Sequence, residues 1–174
     1  LVPVIFADPA TILADSETIA WLAEQGRRGA CLCSACAGSF LIAATGRLDG
    51  KTATTHWNLA DSFAARFPKV ILKREKMLVD AGDCITAGGV SAYLDLSLHI
   101  TARFGSPELA ALLSKILLID PARRLQLPYQ SPVFSKDHGD AAIAGIQEWL
   151  AEDPHRSLTI AGLAARAGLG ERTF

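Results

Sequence analysis

The chain has 174 residues, half of them hydrophobic, and a formal net charge of -1. A chain of this length can form one large core and a small second module. The balanced charge excludes a domain-wide basic field of the kind that attracts nucleic acid. No apolar run approaches the roughly 18 residues needed to span a bilayer, so we expect no membrane partner.

The four cysteines do not follow the pattern of a disulfide scaffold. Cys31, Cys33 and Cys36 crowd into one segment, whereas Cys84 stands alone. Because no secretion signal is recognisable, we expect reduced thiols and a cytoplasmic protein. The chain begins without a starter Met and ends in GERTF, and we interpret it as a fragment of a longer protein.

Apolar runs and amphipathic segments predict strands that alternate with helices up to about residue 119. Strands are predicted at residues 2–6, 30–35, 52–56 and 70–72, and as a hairpin of residues 77–80 and 83–87. Helices are predicted at residues 16–27, 38–45, 58–67, 90–104 and 106–117, the first of them capped by Ser16. This order predicts an α/β domain over residues 1–119, with a parallel sheet covered by helices on both faces in three layers.

The remainder of the chain has a different composition. Residues 120–139 are rich in Pro, Arg, Gln, Ser and Asp, which is typical of a linker or an arm laid across a surface. Residues 140–150 read as an amphipathic helix, and residues 157–174 as a short helix, a turn and the opening of a third helix. Thr159 can cap the second of these helices and Gly168 can make the turn, so residues 140–174 indicate the start of an all-α helix-turn-helix domain.

Cys36 lies where a predicted strand meets a predicted helix, and the small residues Ala37 and Gly38 follow it. A sharp strand-to-helix turn at a nucleophilic residue is a nucleophile elbow, in which small residues allow the backbones to approach. The dipole of the following helix would favour the thiolate form of Cys36. The pattern therefore makes Cys36 a candidate nucleophile.

His56 ends the next predicted strand, twenty positions after Cys36. Parallel strands joined by one helix usually lie side by side, and their carboxyl ends form the edge where open α/β sheets bind ligands. Gly88 and Gly89 follow a third strand and open onto the same edge. We therefore expect Cys36 and His56 to meet there, where a thiolate and an imidazole could act as nucleophile and base.

At these residues the sequence resembles a known family. CAGSFLIA and GKTATTHW resemble the elbow and the following histidine of the ThiJ/PfpI branch of the class I glutamine-amidotransferase-like superfamily. Within that branch, ATTHW, LDGK, DAGDCITAGGVSAYLDLSLHI, and HGDAAI followed by QEWL resemble the GlxA-type subfamily of AraC-like transcriptional regulators. The resemblance covers nearly the whole chain. It implies a flavodoxin-like or amidotransferase-like first domain and an AraC-type helix-turn-helix over residues 140–174.

The resemblance implies a DNA-binding transcriptional regulator whose ThiJ/PfpI-like domain senses a small ligand or mediates dimerisation. The implied partners are DNA for the complete protein, a small-molecule effector and a second copy in a homodimer, and no cofactor is expected. The expected ligand pocket combines the elbow with the neighbouring sheet edge: Cys36, Ala37, Gly38, His56, Trp57, Gly88 and Gly89. Ligand sensing, redox sensing and a mainly structural or dimerising role remain open for this domain.

The alternative is a cysteine-dependent hydrolase, hydratase or amidase of the same superfamily that uses Cys36 and His56. Such enzymes generally need an acidic partner, which in the relatives tends to come from an early strand, and this chain is expected to begin after that strand. No motif marks Asp8, Asp15 or Asp80 as that acid. The regulator is therefore the preferred interpretation, and the expected outcome is that the chain is not an enzyme.

The resemblance also implies the DNA-binding candidates Thr159, Glu171, Arg172 and Thr173, the last three at the start of the helix that would enter the major groove. Gly162 stands where the AraC family usually has Glu, which removes a capping partner. From residue 140 on, acidic residues outnumber basic ones, and the recognition helix has barely begun at the end of the chain. We therefore expect this 174-residue chain to bind DNA weakly and the complete protein to bind it.

Two further patterns have less specific interpretations. The CxCxxC motif at residues 31–36 suggests a metal site, but Cys36 would lie beyond the strand that carries the other two thiols, and no second cysteine pair follows. We therefore expect no bound metal. Asp95, His99 and Arg103 recur at four-residue spacing, which predicts a solvated or interface ion-pair stripe on a helix and not a catalytic triad.

Overall fold

The computed structural model describes residues 1–122, 124–129, 139–153 and 156–174. The chain divides into two compact units, Leu1–Gln130 and Ser131–Phe174. In the part of the chain that is described, no helix combines the length and apolar character that a membrane crossing requires.

The first unit is an α/β structure built from short elements. Its helices are α1 (Pro9–Ala14), α2 (Ser16–Arg27), α3 (Ser39–Ala44), α4 (Ala60–Arg66), α5 (Ala92–Phe104) and α6 (Pro107–Ile116). Its strands are β1 (Leu32–Ala35), β2 (Thr52–Ala53), β3 (Ile71–Leu72), β4 (Leu78–Asp80) and β5 (Cys84–Ala87). The alternation of strands and helices predicted from the sequence is confirmed, and helix α2 has the predicted bounds.

The strands form a mixed sheet and a separate pair. β1 lies parallel to β5, β4 lies antiparallel to β5, and β2 lies parallel to β3 in the separate pair. The predicted β4–β5 hairpin is confirmed, but the expectation of an all-parallel sheet is wrong because that hairpin necessarily reverses the chain. The expectation that the strands before Cys36 and His56 are neighbours is also wrong: β5, buried at all four residues, occupies the place beside β1.

Apolar side chains fill both faces of the β1–β5 pair. Leu32 and Cys84 belong to a cluster that includes Phe40 of α3, whereas the paired residues Cys33 and Ile85 belong to a second cluster with α5. Successive residues of a strand point to opposite faces, so this division follows directly from the pleat. The predicted coverage of the sheet by helices on both faces is confirmed.

Two local predictions near the N-terminus need correction. Residues 2–6 make only one bridge, from Val2 to Ser34, in place of the predicted strand. The N-cap of α2 is Asp15 and not Ser16, because the Asp15 carboxylate accepts a hydrogen bond from the Thr18 N–H at 2.9 Å. A carboxylate also interacts favourably with the positive end of the helix dipole.

The first unit extends beyond the boundary expected at residue 119. Leu125 forms an antiparallel bridge with Lys76, and the side chain of Gln126 is buried. The described residues between 120 and 129 therefore include a segment that packs into the first unit, where a linker or surface arm was expected. The polar composition of this segment suggested an exposed linker, but a polar side chain such as that of Gln126 can be buried when its hydrogen bonds are satisfied. Residues 130–138, the rest of the expected linker, lie outside the described residues.

The described residues of the second unit include the helices α7 (Ala141–Glu152) and α8 (Ile160–Ala167). The predicted capping of α8 by Thr159 is confirmed, since its hydroxyl accepts from the Gly162 N–H at 3.1 Å, and Gly168 ends the helix with φ 69°. Where a third helix was expected to begin, the chain forms a turn. In this turn the N–H groups of Thr173 and Phe174 both donate to the Gly170 carbonyl.

Candidate functional site

The elbow at Cys36 has the expected backbone geometry. Cys36 directly follows β1 and has φ 55°, a left-handed conformation that is uncommon for a residue other than glycine. A Cβ on Gly38 would lie 2.8 Å from the carbonyl oxygen of Pro3, so the N-terminal residues approach too closely for a side chain there. Strained backbone of this kind is often associated with function.

The thiol of Cys36 is not activated in the way expected from the sequence. Burial raises the pKa of Cys36, and a hydrogen bond from the Ala37 backbone only partly offsets this effect. Burial therefore opposes the thiolate form that the following helix was expected to favour. The short 3₁₀ turn Cys36–Gly38 also separates Cys36 from the first turn of α3. At neutral pH the thiol form predominates more strongly than in a free cysteine.

Two hydroxyl groups surround the backbone of the elbow. The carbonyl oxygen of Cys36 accepts hydrogen bonds from Ser39 Oγ at 3.0 Å and Thr55 Oγ1 at 3.2 Å, and the two hydroxyls are 2.9 Å apart. The residue before His56 is thereby attached to the elbow, although β2 and β1 are not neighbours. The structure thus brings the two chain segments together by side-chain contacts instead of by strand pairing.

His56 is a neutral imidazole with one ring nitrogen already occupied. Nδ1 accepts a hydrogen bond from the Asn58 N–H at 3.1 Å, which leaves the ring proton on Nε2, and burial lowers the pKa of His56. Among the described residues, no hydrogen bond joins His56 to Cys36. Within the described ranges, the predicted nucleophile and base therefore form no hydrogen-bonded pair, and no carboxylate binds the His56 ring.

A cavity of about 450 Å³ lies beside His56. It is lined by residues from the 3₁₀ turn after β2, the β5–α5 connection and the segment before residue 130: His56, Trp57, Met77, Gly89, Val90, Ser91, Gln126 and Tyr129. Of the expected pocket residues, His56, Trp57 and Gly89 line this cavity. The lining does not include Cys36, Ala37, Gly38 or Gly88, so the thiol lies next to the site and not in its wall.

Sequence reasoning missed Gln126, which closes one side of the cavity. Its side-chain nitrogen lies 2.9 Å from the carbonyl oxygen of Thr55 and 2.8 Å from that of Lys76, and its oxygen accepts from the Trp57 N–H at 3.2 Å. A Cβ on Gly88 would overlap the Gln126 amide. The Gly88–Gly89 pair could be recognised in the sequence, where it was interpreted as part of a ligand pocket. In the structure, the absence of a side chain at Gly88 leaves the space that the Gln126 amide occupies.

The other three cysteines lie away from the cavity. Cys31 Sγ and Cys33 Sγ are 3.9 Å apart on one face of the sheet, and burial together with the neighbouring thiol raises the pKa of Cys33 to about 12. Cys36 and Cys84 belong to the core on the opposite face. Within the described ranges, no group of three or more His, Cys, Asp or Glu residues is arranged to hold a metal ion.

Two residues of the helical stripe on α5, His99 and Arg103, form ion pairs at the interface with β4, which is one of the two alternatives predicted for the stripe. His99 Nε2 lies 2.7 Å from Asp80 Oδ2, and Arg103 Nη1 donates to Asp80 Oδ1 at 2.9 Å. Partial burial raises the pKa of Asp80, but the His99 hydrogen bond and the Arg103 charge outweigh it and leave the pKa below its usual value. These contacts join α5 to β4, and His99 also lines a separate cleft.

Comparison with known proteins places this arrangement in a family. The sequence profile of the DJ-1/PfpI family matches residues 6–103. This chain belongs to the DJ-1/PfpI family. A DJ-1/PfpI protein is expected to have a flavodoxin-like α/β fold, and the first unit agrees with that expectation in its β1–β5 pair and two-sided helical cover.

Proteins of two functional classes, a transcriptional regulator and an enzyme, resemble this DJ-1/PfpI chain. It is 33% identical over 108 residues to the HTH-type transcriptional regulator CdhR of Pseudomonas aeruginosa, covering 62% of this chain and 32% of that protein. It is 27% identical over 136 residues to an isonitrile hydratase of Pseudomonas putida, covering 78% of this chain and 54% of the enzyme. A ThiJ/PfpI family structure from Pseudomonas syringae superposes with a TM-score of 0.57 at 27% identity, covering 92% of this chain and 61% of that one. The chain thus spans about a third of the length of the regulator.

Proposed function

We propose that this chain is part of a DNA-binding transcriptional regulator of the GlxA type, in which the DJ-1/PfpI unit senses a small ligand. The observation that carries the proposal is the 33% identity to a helix-turn-helix regulator across 108 residues of this chain. The proposed partners are DNA, a small-molecule effector and a second copy of the chain. The proposed location is the cytoplasm.

The chemistry of the elbow supports sensing in preference to turnover. A nucleophile needs a lowered pKa or a base within hydrogen-bonding reach, and Cys36 has neither among the described residues. The adjacent cavity of about 450 Å³ falls within the usual size of small-molecule sites. The proposed effector site is the wall formed by His56, Trp57 and Gly89, with Cys36, Ala37, Gly38 and Gly88 as its support.

The second unit supports the DNA-binding half of the proposal. Two capped helices precede an exposed turn that carries Glu171, Arg172 and Thr173. In a helix-turn-helix protein, residues at the start of the recognition helix contact bases or phosphates. Thr159 contributes to the same proposed unit as a helix cap, because its hydroxyl is already engaged with the backbone.

The DNA-binding proposal predicts the behaviour of an Arg172→Ala variant. In the protein encoded by the complete reading frame, we expect affinity for a selected DNA site to fall about tenfold. The slope of log affinity against log salt should fall by about 1, because one phosphate contact is lost. Fluorescence anisotropy on DNA obtained by in vitro selection measures both quantities. Arg66→Ala, at an exposed arginine of the first unit, is the matched control. Failure to select any DNA sequence would contradict the proposal.

The second candidate is a cysteine-dependent hydratase, hydrolase or amidase. The similarity to isonitrile hydratase and the strained backbone of Cys36 favour this candidate. It requires a reactive thiolate at Cys36, which is the property that distinguishes it from a sensor.

Alkylation of Cys36 separates the two candidates. Because its pKa is raised, we expect Cys36 to react with iodoacetamide at pH 7 no faster than glutathione, and to react faster as the pH increases. Mass spectrometry of the intact and digested chain measures the rate, with Cys36→Ser as the variant that identifies the labelled site. Labelling of Cys36 at least about tenfold faster than glutathione would favour the enzyme instead.

A further inference from the structure

A second cleft lies away from the elbow, between α5 and α6. It has a volume of about 440 Å³ and a wall of aliphatic side chains: Leu78, Leu98, Ala102, Pro107, Ala110 and Ala111. A neighbouring cavity of about 540 Å³ on the β4 side shares Leu78, His99 and Arg124 with it. The two spaces adjoin at these three side chains, the first mainly aliphatic and the second more polar, and together they are called the α5–α6 cleft.

The charged groups of this cleft are mainly cationic. Lys115 and Arg124 line the first space, and Lys73 and Lys76 line the second beside Arg124. In the described part of the chain, no ion pair engages any of these four side chains. The acidic residues in the two linings are Asp95 and Glu75. The cleft therefore has a surplus of two positive charges.

The remaining titratable side chain in the wall does not offset this surplus. His99 is bound to Asp80, which also pairs with Arg103, so the single carboxylate of that cluster faces two basic groups. Unpaired cations around a partly enclosed space raise the local concentration of anions. Arginine in particular binds carboxylates through two parallel hydrogen bonds.

We propose that the α5–α6 cleft binds a small organic anion, a monocarboxylate with an apolar body. The carboxylate would lie at Arg124 and Lys76, and the hydrocarbon part would occupy the aliphatic space between α5 and α6. A volume of about 440 Å³ is within the range of small-molecule sites, and an aliphatic wall with a few charged groups at one end is their usual composition.

The cleft and the cavity at His56 share one chain segment. Arg124 lines the cleft, whereas Gln126 and Tyr129 line the cavity. The segment is attached to the chain before β4 by hydrogen bonds from the Met77 N–H to the Arg124 carbonyl at 3.0 Å and from the Gln126 N–H to the Glu75 carbonyl at 2.8 Å. An anion at Arg124 would therefore contact the same segment that closes the elbow cavity.

Calorimetric titration of the 174-residue chain with sodium octanoate tests the proposal. We expect saturable binding that is at least about tenfold weaker in Arg124→Gln and unchanged in Arg28→Gln, a variant at an exposed arginine outside the cleft. Octanamide, which lacks the charge, and acetate, which lacks the apolar body, should each bind at least about tenfold more weakly than octanoate. Ala102→Leu, which fills the aliphatic space, should also weaken octanoate binding.

Each contrary result has a definite meaning for this cleft. Absence of saturable octanoate binding to the folded chain, or equal binding by Arg124→Gln, would overturn the proposal. Equal binding of acetate and octanoate would mean that only the positive surface charge attracts the anion, and this result would also overturn the proposal. Circular dichroism of every variant verifies that the chain is folded. The titration uses no DNA, so its outcome is independent of the proposed regulatory function.

Discussion

Gln126→Leu is expected to lower the free energy of unfolding of the first unit by about 2–4 kcal/mol. Leucine has nearly the same volume, so the loss comes from hydrogen bonds and not from a cavity. The Thr55 carbonyl loses its shortest hydrogen bond, and the partly buried Trp57 N–H loses its Gln126 acceptor. Each unsatisfied buried group costs about 1–3 kcal/mol. Urea unfolding followed by circular dichroism measures the difference.

Gln25→Leu is the matched control for this prediction. Gln25 lies on the partly exposed face of α2, and substitutions at such positions usually change stability by less than about 0.5 kcal/mol. If Gln126→Leu were no more destabilising than Gln25→Leu, the hydrogen bonds of Gln126 would contribute nothing to the fold. The boundary of the first unit would then have to be placed before this residue.

Phe40→Ala should destabilise the first unit by about 3–5 kcal/mol. Phe40 is fully buried on α3, where its ring contacts Phe63 edge-to-face at 5.0 Å and Phe67 at 5.9 Å. Removing a buried phenyl ring loses its transfer free energy and leaves a cavity that the rigid neighbours fill only partly. Because α3 begins just after the elbow, the same variant should also increase the alkylation rate of Cys36.

Phe104→Ala provides the control for Phe40→Ala. The Phe104 side chain is 62% exposed, and the Arg103 guanidinium lies over its ring at 5.0 Å from the centroid. We expect its removal to cost less than about 1 kcal/mol. Differential scanning calorimetry of both variants compares the two effects directly. A similar loss from the two substitutions would mean that the aromatic cluster around Phe40 is not a tightly packed core.

The elbow could be predicted from the sequence because its causes are local. The elbow places Cys36 at a positive φ, and the small residues that permit the turn, Ala37 and Gly38, are adjacent to it in the chain. The same holds for the hairpin around Gly82, for α6 with its Ser106 cap, and for the Thr159 cap of α8. Caps, turns and helical periodicity depend on residues within about four positions of one another.

The neighbours of each strand could not be predicted in the same way. The rule that successive parallel strands lie side by side placed β2 beside β1, but β5 occupies that position. Strand order depends on which apolar faces pack best over long sequence separations, and β5 is buried at all four of its residues. β2 has only two residues and so contributes few backbone hydrogen bonds that could determine its place.

The sequence by itself determined the family, the elbow at Cys36 and most of the helices, because these depend on motifs and short-range periodicity. Only the tertiary structure decided the chemical state of the elbow. Burial raises the pKa of Cys36, and His56 binds Asn58 instead of the thiol. Gln126, seventy positions after His56 and polar in character, closes the adjoining cavity. Desolvation and long-range hydrogen bonding arise only when distant segments pack together. For that reason Cys36, whose sequence pattern is typical of a nucleophile, is here a buried thiol beside a cavity.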